Sequence, residues 1–145
     1  MKRHWRAAFI LAASVGCGLA VAAQAPSVNP ADAAQSSNEG RVLFQTYCAS
    51  CHGATGVGNG PVAEAMKRKP ANLTLYDVSN GGVVPVAKLR RVIDGRDVAA
   101  HGTSDMPVWG YVFRFTKEGA DEAVVKARID AIVAYIVAIQ ARRSH

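Results

Sequence analysis

The sequence predicts an all-α fold, and three observations point there. Val125, Ile129, Ile132, Ile136 and Ile139 recur at spacings of four, three, four and three, which is one apolar stripe on a long C-terminal helix. Gly40, Val42, Leu43, Phe44 and Tyr47 run into Cys48 without the alternation of a strand. Elsewhere the signals for strands are negligible.

From the N-terminus, the chain opens on MKRHWR, where Lys2, Arg3 and Arg6 make a basic start, followed by an apolar run from Ala7 to Ala23 and then the small, polar AQAPSVNPADAAQSS. That order predicts a signal peptide over residues 1–23 and an exported, periplasmic protein. Cleavage is placed after Ala23, because Pro26 disfavours the bond after Ala25. Two tethered alternatives stand beside it: an uncleaved anchor, slightly short for a span, and a lipid on Cys17. A lipidated cysteine would follow a leucine three positions earlier, where this chain has Ser14. The full chain has 17 basic and 11 acidic residues; without Lys2, Arg3 and Arg6 the balance is 14 against 11, or +3. That excess is too small to argue for a nucleic-acid partner.

Residues 24–37 have no apolar periodicity and read as a flexible linker, which leaves one small domain over residues 38–145. Its first element is the helix ending at Cys48. A shorter helix is predicted from Pro85 to Asp94, with proline in its first turn and Gly95 as its stop. The long last helix has Asp121 and Glu122 at its start and Arg142 and Arg143 at its end, all matched to the helix dipole. Between the first two helices lies CASCHGATGVGNGP, residues 48–61. Its glycine-rich run lacks the Gly-Lys-Ser/Thr ending of a phosphate loop.

Cys48 and Cys51 admit few readings. A disulfide between them would close a loop too short to stabilise much. A thioredoxin-type pair needs a preceding strand in a βαβ setting, whereas the residues before Cys48 are helical. Zinc needs four ligands, and the chain has no second Cys pair and no spaced His pair; His4 lies in the leader and His145 is the last residue. The remaining reading is C-x-x-C-H, the attachment motif of c-type haem. Each thiol adds to one porphyrin vinyl group, and the turn between them sets the imidazole of His52 under the iron. The motif therefore predicts one covalent haem c on Cys48 and Cys51, with His52 as the proximal ligand. The glycine-rich run is read as the turn that wraps the haem edge.

For the opposite face of the iron, the candidates are Met66, His101 and Met106. Met66 lies in AEAMKRK, an expected helix where methionine usually fills a core. His101 sits in a glycine-bearing loop and reads as a surface or hydrogen-bonding residue. Met106 is followed by Pro107, which stiffens the backbone, and lies about 50 residues after His52, far enough to reach the other haem face. Met106 is the predicted distal ligand.

Taken together, these residues resemble the class I c-type cytochromes, and more closely the bacterial monohaem carriers with a GxGP…MPxWG pattern. The resemblance covers nearly all of residues 38–145. Cys48, Cys51 and His52 match its haem motif, and Met106-Pro107-Val108-Trp109-Gly110 its distal methionine loop. Gly40 and Phe44 match its N-terminal helix, and Tyr135 resembles the aromatic residue of the C-terminal helix that packs on that glycine. Lacking a Cβ, Gly40 lets a crossing helix approach closely. By the same resemblance, Pro61 supplies the carbonyl that accepts a hydrogen bond from the proximal imidazole. Trp109 is read either as a haem neighbour or as a core residue. Lys67, Arg68, Lys69, Lys88, Arg90, Arg91 and Arg96 either ring the haem edge or simply solvate helix faces.

A histidine nitrogen and a methionine sulfur leave no open position on the iron, so no small-molecule substrate is expected there and no enzymatic role. The expected function is that of a periplasmic monohaem cytochrome c passing single electrons between redox partners such as a dehydrogenase, a reductase or a terminal oxidase. It would be a monomer or part of a complex. The alternatives are a fixed cytochrome subunit of a dehydrogenase, a haem enzyme or sensor with a labile distal ligand, and a colourless thiol redox protein using Cys48 and Cys51.

Overall fold

The computed structural model describes residues 30–97, 106–116 and 121–140. Among these residues there are six α-helices and no strand: α1 (Pro30–Tyr47), α2 (Ala49–His52), α3 (Tyr76–Ser79), α4 (Val86–Asp94), α5 (Trp109–Arg114) and α6 (Glu122–Ala138). Two 3₁₀ turns, Ala63–Ala65 and Leu73–Leu75, lie between α2 and α3. No described helix is long and apolar enough to cross a membrane. Residues 1–29, with the predicted leader and Cys17, lie outside the described residues, as do His101, Arg142 and Arg143.

α1 begins at Pro30 and not at Asn38, so residues 30–37, read as linker from their lack of apolar periodicity, are helical. Proline is well suited to a first helical position, and Asp32 complements the dipole of the first turn. Residues 31–35 are exposed, so this extension rests on helix-forming alanines and not on packing. The buried part of α1 starts at Gly40, where it crosses α6 in the most extensive helix contact of the fold. A Cβ on Gly40 would strike the backbone carbonyl of Ala131 and come within 3.0 Å of the Tyr135 Cβ. One turn on, the fully buried Phe44 ring meets Tyr135 with centroids 5.1 Å apart.

α6 follows its periodicity. Val125, Ile129, Ile132 and Ile136 are buried, joined by Ala131 and Val133, and Ile139 is half-buried at the C-terminal cap. The Asp121 carboxylate accepts a hydrogen bond from the Ala123 N–H at 2.8 Å and so caps the helix. α4 runs between the predicted limits, burying Leu89 and Ile93. Gly95 ends it with φ of 72°, a left-handed conformation natural to glycine, and its N–H bonds the Arg91 carbonyl at 2.9 Å. Arg90 of α4 pairs with Asp130 of α6. The segment around Met66 departs from expectation: a single 3₁₀ turn ends there and Met66 itself is extended. Pro70 disfavours helix in Lys69 before it and so bounds the segment on that side.

Candidate functional site

Cys48 caps the short α2, and α1 ends one residue before it, so the motif forms a helix–turn–helix corner. The glycine-rich segment folds back over α2 and occupies its free carbonyls. Val62 N–H bonds Ser50 O at 3.1 Å, Gly60 bonds Cys51 O at 3.0 Å and Gly58 bonds His52 O at 2.8 Å. This clasp fixes the backbone that carries Cys51 and His52. Gln45 of α1 extends it by donating to Ala54 O at 2.8 Å.

Next to the motif lies a cavity of about 290 Å³. Cys48, Cys51 and His52 line one side with Phe44 and Tyr47 of α1, while Met106, Pro107 and Trp109 line it as well. Leu89, Val92 and Ile93 of α4 and Ile132 and Ile136 of α6 make its wall apolar. Arg68 and Lys69 are the lining cations. The fold thus brings together Cys48, Cys51, His52, Met106 and Trp109, all singled out from the sequence. Met66, read as core filling, lines the same cavity while half-buried.

The imidazole of His52 is held by its Nδ1, which lies 3.1 Å from the Ala71 carbonyl. Nδ1 donates there, leaving Nε2 unprotonated and free to bind a metal. Pro61 does not have the role the resemblance gave it: it is exposed, and the bonded carbonyl belongs to Ala71, 19 residues beyond His52. Burial lowers the His52 pKa below its usual 6.5, opposed by the bond to Ala71. The ring is therefore neutral near pH 7, as a ligand must be. The segment that supplies Ala71 is pinned in turn by Gln140 at the end of α6. Its side-chain amide donates to Leu73 O at 2.9 Å and accepts from the Asp77 N–H at 3.1 Å.

Cys48 is buried, and desolvation, then the neighbouring Cys51, push its thiol up to about 12. A thiol redox centre needs the opposite shift, since the thiolate is the reactive form. Trp109 proves to be both core and cavity wall: its ring stacks on Phe113 at 5.7 Å and meets Tyr47 edge-on at 5.6 Å. Among the cations, Arg90 is occupied by Asp130, Arg96 by Asp94 and Glu122, and Lys69 by Glu64, so only part of the set read as a ring is available to one.

A family model described as cytochrome c oxidase, cbb3-type, subunit III matches residues 35–136. The chain belongs to this family. As a class I c-type cytochrome, with a helical architecture consistent with the small cytochrome c fold, it is a haem-binding electron-transfer protein. Members of such families typically carry electrons and are not enzymes. No match was found among curated proteins or among solved structures.

The residues around the cavity fit haem. Its walls are apolar, as a porphyrin face requires, and two thiols, a neutral imidazole and the thioethers of Met66 and Met106 share it. Among the described residues no three His, Cys, Asp or Glu side chains converge into a metal-only site. Sequence reasoning did not find Ala71, Gln140 or the carboxylates that engage Arg96. The first acts through its backbone, which leaves no residue-type signal; Gln140 and Glu122 depend on contacts distant in sequence, and Asp94, two residues from Arg96, carries no pattern that marks the pair.

Proposed function

We propose that this protein is a periplasmic monohaem cytochrome c that shuttles single electrons between redox proteins. Its haem is attached through Cys48 and Cys51 and ligated by His52 and Met106. The single observation that carries this reading is that both cysteines, His52 and Met106 line one apolar cavity. Export rests on the order of basic start, apolar run and small residues over residues 1–23.

Bound there, haem would supply a one-electron couple whose potential would be tuned by the residues that hold it and by their surroundings. The chain's own residues do the rest. Ala71 holds the His52 ring through Nδ1, so the imidazole needs no reorientation when charge changes. The clasp on α2 fixes the motif backbone, and Tyr47 and Trp109, which line the cavity, pack on one another and on Phe113. With His52 and Met106 both holding the iron, the chain would leave no position for oxygen or substrate, which favours a carrier over an oxidase or sensor.

A second reading has a specific observation behind it. The family match is to an oxidase subunit, so the domain would be a fixed electron entry point of a larger complex. The two separate on purification: a carrier runs alone, and a subunit co-purifies with its membrane partners.

The decisive experiment is an optical spectrum of protein expressed with a haem-maturation system. Covalent haem and a weak near-red sulfur–iron band in the ferric state are expected. Met106→Ala should abolish that band and Met66→Ala should keep it; the reverse would transfer the distal role to Met66. A colourless product would leave the thiol redox alternative.

A further inference from the structure

Arg96 stands just before residues 98–105, and Met106 just after them. Its guanidinium is only 19 % exposed and is forked on both edges. Toward Asp94 at the end of α4, Nε and one terminal nitrogen donate at 2.6 and 2.7 Å. Toward Glu122 in the first turn of α6, the two terminal nitrogens donate at 2.9 and 2.5 Å. Glu122 also accepts from Arg114 at the end of α5, at 3.1 Å. One arginine thus joins α4 and α6, and through Glu122 reaches α5.

Where this cluster lies matters more than its strength. A Cβ on Gly110 would collide with both Arg96 Nε and Asp94 Oδ1, so the ion pair sits directly on the first turn of α5. That turn is tied back to the methionine segment, since the N–H groups of Tyr111 and Val112 bond the Val108 carbonyl at 3.1 and 3.2 Å. Pro107, the one residue between Val108 and Met106, fixes its own φ and so stiffens that link. The adjoining apolar side of α5 is held by Trp109 and Phe113 against Tyr47. The apolar side anchors the helix in depth, and the forked arginine fixes how its N-terminal turn lies against α4 and α6.

We infer that Arg96 is a positioning residue for Met106, clamping the two flanks of the methionine-bearing segment so that the thioether is held at the cavity. The inference rests on the proposed ligation of the iron by His52 and Met106. A planar fork that grips two carboxylates suits this role, and lysine, a single point charge, cannot reproduce it.

The test uses the haem-loaded protein and two readouts, the ferric near-red sulfur–iron band and the rate of carbon monoxide binding to the ferrous form. Helix content and thermal melting are recorded alongside. In Arg96→Met the band should weaken or melt out before the helix signal, and carbon monoxide binding should accelerate at least about tenfold. Arg96→Lys should fall between it and wild type. Asp130→Asn removes a comparable α4–α6 ion pair away from Gly110 and should leave both readouts unchanged. If Arg96→Met does not fold, Glu122→Gln, which loosens one half of the fork, should show the same weakening. Wild-type protein without the band would overturn both the ligation and this inference. Wild type with the band, but an Arg96→Met or Glu122→Gln protein indistinguishable from it, would overturn the inference alone. So would band loss strictly in step with helix melting, or equal loss in Asp130→Asn, since either makes Arg96 merely structural.

Discussion

At Gly40 a hydrogen is the largest group that fits, because the atom opposite is the Ala131 carbonyl and backbone cannot step aside as a side chain can. Gly40→Ala should therefore cost at least about 2 kcal/mol in urea unfolding of the haem-loaded protein. Phe44→Ala, which empties a site with no exposure, should cost about 3–5 kcal/mol in the same measurement. Gly110 differs, since the atoms in its way belong to Arg96 and Asp94 side chains. Gly110→Ala should fold with a small loss of stability but displace the ion pair, weakening the ferric sulfur–iron band as Arg96→Met does. Gly40 was legible because a glycine inside a helix before a haem motif needs a packing reason, and a long apolar helix was at hand to supply it. Gly110 also stood out within the methionine loop, but nothing in its neighbourhood revealed which side chains lie on it.

The helices themselves were legible in proportion to their periodicity. α6 and α4 lie where apolar spacing and the proline and glycine signals put them, because their buried stripes and end signals are local. Gly95→Ala should cost about 1–2 kcal/mol, since an alanine Cβ is strained at its φ of 72°, and a urea titration would show it. Asp121→Ala should cost about 1 kcal/mol through the lost cap on the Ala123 N–H. The segment from Ala71 to Asp77 was not legible as a unit. It is a 3₁₀ turn running into the start of α3, both too short to show a period, and it is held by Gln140, more than 60 residues away. Gln140→Ala should raise amide exchange at Asp77, whose N–H loses its partner, at least about tenfold, while exchange in the middle of α6 stays slow.

For the whole molecule, acid sensitivity gathers where helices are joined by charge. Hydrogen bonding to Arg96 holds the carboxyls of Asp94 and Glu122 below their usual range. Partial burial alone would raise Asp130, but Lys126 and Arg90 outweigh it and the net direction is also downward. A carboxyl that is more acidic folded than unfolded contributes stability above its unfolded value, 3.8 for Asp and 4.5 for Glu, and loses it as the pH falls through the lower, folded one. Urea midpoints of the haem-loaded protein should therefore drop as the pH is taken below about 4.5. In Arg96→Met that drop should shrink without vanishing, because Asp130 keeps both its cations. An unchanged acid profile would show that the Arg96 cluster does not link folding to pH.

What the sequence determined by itself is whatever rests on short spacing. C-x-x-C-H sets two thiols and an imidazole within one turn whatever the rest of the chain does, and a repeat of threes and fours makes a helix buried along one side. Tertiary structure alone decided which parts of the chain met. It chose Ala71 over Pro61 as the partner of His52, put Met66 in the cavity that Met106 also lines, and closed Arg96 on Glu122 over Gly110. The reason is physical: a backbone carbonyl has no residue type to announce it, and a salt bridge across helices depends on the path of the chain between them.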